Sequence, residues 1–161
     1  MSYYLIDWSY DMRMVKFDFE KHIEFLLDAF EESAGIDFPD LKRSAESRNI
    51  DCEKIKELDL SENDIKILKY NDDNTGFIWI NYRYNKIERI KYCNLNYLYI
   101  HPYYRGKGYG KYLMDIFEQE AKKNEAHILC LEATVSNKSA VRLYEKVGFV
   151  TKRFIMRKEI D

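Results

Sequence analysis

Between residues 97 and 123 the chain passes from an apolar aromatic run, YLYIH, through proline and the glycine-spaced basic segment RGKGYGK into an amphipathic stretch. No other part of the sequence so narrows what the chain can fold into. Pro102 closes the apolar run because it has no amide to give a sheet ladder, so Tyr97 to His101 is predicted to be a strand. Tyr112, Leu113, Ile116 and Phe117 recur at helical spacing with charged residues opposite, which predicts a helix over Tyr109 to Lys123. Alternating glycines in the joining loop let the backbone approach a ligand closely, so that successive amides can converge on phosphate oxygens. The helix that follows adds unpaired N–H groups and the positive end of its dipole. Arg105, Lys107 and Lys111 add formal positive charge.

Two other phosphate loops fail on the letters. A GxxxxGK loop ending in Ser or Thr needs glycine five positions after Gly106, where Lys111 stands, and Tyr112 follows that lysine. A GxGxxG dinucleotide fingerprint starting at Gly106 fails on the same lysine.

The rest of the chain reads as mixed α/β. Residues 3 to 17 suggest an aromatic first strand. From Asp18 the stripe Phe19, Ile23, Phe25, Leu26, Leu27 and Phe30 predicts a helix that Gly35 and Pro39 interrupt. A second helix is expected near Leu41 to Leu60. Ile65, Ile67 and Leu68 mark a strand, Asn71 to Gly76 a turn, and Phe77 to Tyr84 the return strand of a hairpin. Ile128 to Glu132 reads as a buried strand. A closing helix over Ser139 to Val147 has Asn137 placed to cap it, Gly148 to end it in the left-handed region, and Phe149 to pack back. Val150 to Ile160 is expected to be a last strand. Helices alternating with strands in the second half imply an α/β sandwich around a mixed sheet.

At 161 residues one compact domain is expected. There is no run of about 18 apolar residues and no basic-then-apolar start, so a cytoplasmic chain without membrane partner is expected. Cys52, Cys93 and Cys130 fit neither a disulfide framework nor a zinc pattern, and they are read as reduced, with no metal site. The net charge of −2 hides a division: Asp18 to Asp64 holds 15 acidic and 6 basic residues. The basic remainder suits a polyanionic cofactor, and the acidic segment would draw a cationic acceptor if it lined the site. Nucleic acid is not favoured as a partner, because the basic residues gather at a glycine loop rather than along a groove.

The segment HPYYRGKGYGKYLM resembles the acyl-CoA pyrophosphate loop of the GNAT acetyltransferases, whose pattern Arg/Gln-x-x-Gly-x-Gly/Ala is met by Arg105, Gly108 and Gly110. Leu131 to Phe149, LEATVSNKSAVRLYEKVGF, is similar to that family's second motif, LExxxxNxxAxxLYxxxGF. The resemblance covers residues 97 to 158 closely and the first 95 in outline. It implies a GNAT-type mixed central sheet flanked by helices, one domain over residues 1–161, with an acceptor-side half at about 1–95 and an acetyl-CoA-binding half at about 96–161.

It further implies an N-acetyltransferase with acetyl-CoA as co-substrate and no metal, acting on a primary amine in a ternary complex without a covalent enzyme intermediate. In the resemblance, main-chain groups of Leu98, Tyr99 and Ile100 pair with the pantetheine arm on a strand that splays from its neighbour. Amides of Arg105, Gly106, Lys107, Gly108, Tyr109, Gly110 and Lys111 hold the pyrophosphate, and Asn137 and Ala140 border the pantetheine. Tyr144 corresponds to the tyrosine that faces the cofactor sulfur and serves as general acid, and its phenol can protonate the leaving thiolate. Glu132 matches the glutamate assigned as base in ribosomal-protein N-terminal acetyltransferases, with a purely structural role as the alternative. An amide of the Tyr97 to His101 strand would stabilise the oxyanion. His101 itself reads as a turn residue.

The tail departs from the family, since only Val150 to Asp161 follow the Gly-Phe pair where two strands and a walling loop are usual. Either the acceptor site is open, as a peptide or protein amine requires, or a second subunit of a homodimer supplies the wall. A non-catalytic acyl-CoA-binding regulatory module is the alternative to an enzyme.

Overall fold

Strand β3 (Asp73–Asn85) carries the run FIWI, whose Phe77, Ile78 and Ile80 are fully buried. Consecutive residues can all be buried only when a strand is covered on both faces. The computed structural model, which describes residues 12–37, 44–156 and 158, shows how that cover is built. Strands β1 (Met12–Lys16), β2 (Asn63–Tyr70), β3 and β4 (Ile90–Ile100) lie side by side in chain order, each antiparallel to the last. Strand β5 (Ile128–Leu131) joins the far edge parallel to β4.

Helices α1 (Phe19–Asp37) and α2 (Ala45–Lys56) cover one face. Ile23, Leu26, Leu27 and Ala29 of α1 and Ile55 of α2 pack there on Ile65, Ile67, Phe77 and Tyr99. Helix α3 (Tyr109–Lys123) covers the other, setting Tyr109, Leu113, Met114, Phe117 and Ala121 against Leu68, Ile78, Ile80, Cys93, Leu95 and Ile100. Helix α4 (Lys138–Lys146) adds Leu143 and Tyr144 to that cluster. The result is the mixed sheet flanked by helices expected of the sequence.

Several boundaries differ from the sequence reading. Helix α1 runs through Gly35 to Asp37, because a glycine in a last turn costs only about 1 kcal/mol. The hairpin turn is tighter than six residues: Asn71 takes the left-handed conformation (φ 54°) and β3 already begins at Asp73. A second hairpin through Arg89 (φ 54°) brings in β4 from Ile90, although Ile90 to Asn96 alternate too weakly to announce a strand. Residues 3 to 11 of the expected first strand, Pro39, and the ends of the expected second helix and last strand lie outside the described residues.

The expected strand at Val150 to Ile160 is not formed in its described part. Residues 150 to 156 have no regular secondary structure, and Phe154, Ile155 and Met156 are 86%, 83% and 93% exposed. A strand is stable only with a hydrogen-bonded neighbour, and this segment takes none.

Candidate functional site

The site begins where two strands part. β5 follows β4 only from Tyr92 to Leu95, and beyond Leu95 that side of β4 carries no further strand among the described residues. On the other side β4 stays paired with β3, with a bulge: Trp79 faces Tyr97 and Ile80 faces Leu95, so Asn96 is the extra residue. The His101 amide donates to the Thr75 carbonyl (2.9 Å), which sets the ladder's phase. In an antiparallel pair the main-chain groups of alternate residues turn the same way, so those of Tyr99 turn toward β3 and those of Leu98 and Ile100 toward the open edge. Tyr99 thus presents neither main chain nor side chain to that edge, a correction to the expectation for this residue. Its ring packs on the opposite face, and its hydroxyl donates to Glu32 of α1 (2.6 Å). Burial, then that bond, push its ionisation above the ordinary range.

The loop after β4 keeps its donors unspent. Within Gly106 to Lys111, the amides of Gly106, Lys107, Gly108, Gly110 and Lys111 meet no acceptor among the described residues, and the first helical bond of α3 is Tyr112 N to Gly108 O (3.1 Å). Gly106 (φ 74°) and Gly108 (φ 88°) adopt left-handed conformations that a side chain would resist. Gly108 stands at the N-cap of α3 without a side-chain cap. Gly110 meets a packing need as well: a Cβ there would come within 3.0 Å of Leu143 on α4.

Arg105 stands apart from the other loop residues. Its amide is taken by Pro102 O (3.2 Å), and its side chain donates from Nε to Ile100 O (2.8 Å) and from Nη2 to Glu32. It braces the loop against β4 and α1 and offers no free amide, because the short helical turn Pro102–Tyr104 consumes that donor. His101 caps this turn, accepting from the Tyr103 amide, as a turn residue should. The Lys107 ammonium lies over the Tyr103 and Tyr104 rings at 4.6 and 5.3 Å, and Lys111 pairs with Asp115 (2.8 Å). Both cations stay beside the loop.

Helix α4 brings the second motif to the same place. Asn137 caps it, its Oδ1 accepting from the Ala140 amide (3.2 Å) and from Ser139 Oγ (3.1 Å), while its Nδ2 takes no partner among the described residues. The Ala140 amide is thereby spent, so this residue can border a ligand only through its side chain or carbonyl. At the other end Gly148 (φ 97°) and the Phe149 N to Tyr144 O bond (3.0 Å) close the helix. Phe149 then packs against Tyr144 (6.2 Å between centroids) and Phe117 (6.5 Å). Tyr144 is half-buried against the α3 cluster that also holds Leu98 and Ile100, and its hydroxyl has no hydrogen-bond partner among the described residues. Burial raises its ionisation above 10.0. Glu132, the residue after β5, is exposed and likewise unpartnered. Tyr144 and the open edge of β4 are brought together in one cluster, and Glu132 sits where β5 leaves β4.

On the α1/α2 face near the bulge lies a polar chain that the sequence did not announce. Trp79 Nε1 donates to Asn63 Oδ1 (2.9 Å), Asn81 Nδ2 to Glu62 O (3.1 Å) and Asn63 Oδ1 (3.3 Å), and Arg83 Nε to Asn81 Oδ1 (2.8 Å). The available signal was Asn81, a polar residue within an otherwise apolar strand. The acidic run of α1 is drawn elsewhere: Glu24, Asp28 and Glu31 all converge on Arg48 of α2 at 2.7 to 2.9 Å. Among the described residues no three His, Cys, Asp or Glu side chains gather as a metal site, and no helix is long and apolar enough to cross a membrane. Cys52, Cys93 and Cys130 are free thiols.

Comparison with known proteins agrees with this geometry. An uncharacterized N-acetyltransferase of Methanocaldococcus jannaschii is 28% identical over 94 residues, 55% of this chain. The match spans 40% of that relative's length. The ribosomal-protein-alanine N-acetyltransferase of Brucella melitensis biovar Abortus 2308 superimposes with a TM-score of 0.71 at 17% identity, covering 92% of this chain and 99% of that one. AAC(6')-Iy, solved in complex with the bisubstrate analog CoA-S-monomethyl-acetylneamine, superimposes with a TM-score of 0.68 at 15% identity, over 94% and 100%. At such identities these two likenesses show the fold. The family model for acetyltransferase (GNAT) matches residues 23–149, from α1 to the end of the second motif. A match over that much of the sequence, on a fold whose strands part beside an uncapped glycine loop, means that the chain belongs to the acetyltransferase (GNAT) family.

Proposed function

We propose that the chain is an acetyl-CoA-dependent N-acetyltransferase that moves an acetyl group to a primary amine, of a small molecule or a peptide, by direct attack in a ternary complex. The observation that carries this reading is the set of unspent main-chain donors at residues 106–111, continuous with the strand edge that β5 leaves open. The amides of Gly106, Lys107, Gly108, Gly110 and Lys111 lie at exposed or half-exposed positions at a helix start, where water can be exchanged for an anion and the helix dipole favours negative charge. A diphosphate suits that place, and a linear arm with amide groups suits the edge offered by Leu98 and Ile100. Acetyl-CoA would supply both, together with its thioester as the acetyl donor.

The chain's own residues fill the remaining roles. Glu132, through water, takes the proton that the acceptor ammonium must lose before its nitrogen can attack. Tyr144 gives its phenolic proton to the sulfur as the carbon–sulfur bond breaks. Burial keeps that proton in place at neutral pH. An amide of the Tyr97 to His101 strand, which follows the bulge at Asn96, would meet developing negative charge on the acetyl oxygen. Cys130 takes no covalent part.

The test is calorimetry with acetyl-CoA and with desulfo-CoA, followed by a thiol-release assay over a panel of amines and peptides. Binding of both thioester and analogue, with thiol release that depends on an amine, is expected. Absence of binding by folded protein would end the reading, and binding without release for any amine would reduce it to the non-catalytic module.

A further inference from the structure

On the face of the sheet opposite α3, just below the point where β4 and β5 part, polar residues occupy a row that a core would fill with apolar ones. Asn81 on β3 stands opposite Asn94 on β4, and Asn94 opposite Cys130 on β5. Their neighbours Ile80, Leu95, Cys93, Leu129 and Leu131 all pack on the α3 side, which fixes the row on the other face. Arg83 lies next along β3. We propose that Arg83 is a carboxylate-binding residue of the acceptor site, so that the acceptor is a primary amine carrying a carboxylate a few bonds from its nitrogen. This rests on the acetyl-transfer reading above and names its substrate class.

The argument turns on how Arg83 is held. Its Nε donates to Asn81 Oδ1 (2.8 Å), and Asn81, only 6% exposed, is itself fixed to Glu62 O and Asn63, which Trp79 in turn holds. The guanidinium is therefore oriented by a buried neutral amide. Among the described residues no carboxylate forms an ion pair with this exposed guanidinium, and neither terminal nitrogen takes a partner. Arg48 gives the contrast, since three carboxylates surround it. A planar fork with its stem anchored and both terminal nitrogens available is matched to bidentate capture of a carboxylate, and anchoring lowers the entropy lost on binding.

Its position agrees. Arg83 stands opposite Tyr92, four residues or roughly 13 Å along β4 from the bulge at Asn96, and its side chain leans back toward the bulge to reach Asn81, whose partner is Asn94. A carboxylate on Arg83 would then leave the amine of a short acceptor near the bulge, on the side where Glu132 follows Cys130. Glu88 accepts from Tyr92 Oη (2.7 Å) and Asn85 Nδ2 (3.0 Å) through the same oxygen and forms no ion pair with Arg83.

The experiment titrates the full chain, without acetyl-CoA, with ω-amino acids of three to six carbons and with the primary amide of each. At least one acid of the series is expected to bind tenfold or more tightly than its amide. Arg83→Gln should erase that preference. Asn81→Asp, which leaves Arg83 in place but supplies its countercharge, should shrink it severalfold, with circular dichroism confirming that both variants fold. Equal affinity of acid and amide, or a preference that survives in folded Arg83→Gln, would overturn the proposal. Thiol release in a parallel assay over amines with and without a carboxylate decides the acetyl-transfer reading separately, so the two can fail independently.

Discussion

Helices α3 and α4 touch where Gly110 meets Leu143, yet their first turns are finished in opposite ways. At α4 the side chain of Asn137 satisfies the Ala140 amide, and at α2 Ser44 does the same for Ser47. At α3 the capping position is Gly108, in a left-handed conformation with nothing to offer, and the donors around it are left unspent. A helix built only for stability would use a capping side chain worth about 1 kcal/mol. Glycine at this position gives up that side-chain bond, which fits the ligand-binding role proposed for the loop. On the proposed function the two helices divide the work: α3 would bind with its terminus, while α4, closed at both ends, would hold Tyr144 by its flank.

The sharpest way to break this division is to remove the one group on α4 that is proposed to do chemistry. Tyr144→Phe should lower turnover by about 10² to 10⁴, the range of a single general acid, and leave thioester affinity within about twofold. Steady-state kinetics beside calorimetry read both; a loss confined to affinity would reassign Tyr144 to binding. The pH profile carries the same logic. Burial raises the Tyr144 ionisation, so the acid stays protonated and no alkaline decline from this group should appear below about pH 10. The sign for stability agrees: the folded state holds this proton more tightly, so the contribution is complete below the unfolded value near 10 and is lost as pH climbs through the raised folded one. A decline centred near pH 8 would point to another acid.

A smaller loss should follow at α3. Gly108→Val places a branched side chain at φ 88°, where the cost is at least about 1 to 2 kcal/mol. The loop can relieve this only by turning its amides, so acetyl-CoA affinity should fall about tenfold or more, with turnover at saturation little changed. Equal affinity in the variant would show that the glycine conformation does not set the donors. The corresponding change at Gly106, which has open space around it, isolates the conformational cost from any clash.

These expectations also show what could be read from the sequence alone. The loop and the second motif were legible because their function resides in backbone geometry and caps, which glycine, proline and asparagine announce locally. The Gly148 stop and the Phe149 contact formed as expected for the same reason. Tyr99 was misjudged because the direction of a main-chain amide depends on ladder phase, fixed here by the His101 to Thr75 bond between residues far apart in sequence. Glu32, Asn63, Asn81 and Arg83 were missed because their meaning arises only when α1, β2 and β3 meet. The final strand was expected at Val150 to Ile160, but residue types along one segment do not say whether a neighbour exists to pair with it.

The finest test separates the two duties that Asn137 would combine. Its Oδ1 caps α4, and its Nδ2 is left over for the pantetheine arm. Asn137→Ala removes both, and should cost about 1 kcal/mol of stability, roughly 2 to 4 °C in Tm, along with some affinity. Asn137→Asp keeps an acceptor for Ala140 and places negative charge at a helix start, where the dipole favours it, so its Tm should match or slightly exceed that of the parent. It has no donor, however, and its charge lies nearer the cofactor phosphates, so affinity for acetyl-CoA should fall severalfold. Desulfo-CoA and adenosine 3',5'-bisphosphate, titrated in parallel, distinguish the causes. A loss confined to the longer ligand belongs to the pantetheine contact. A loss shared by both belongs to the added charge, and would return Asn137 to the purely structural duty that Ser44 performs on α2.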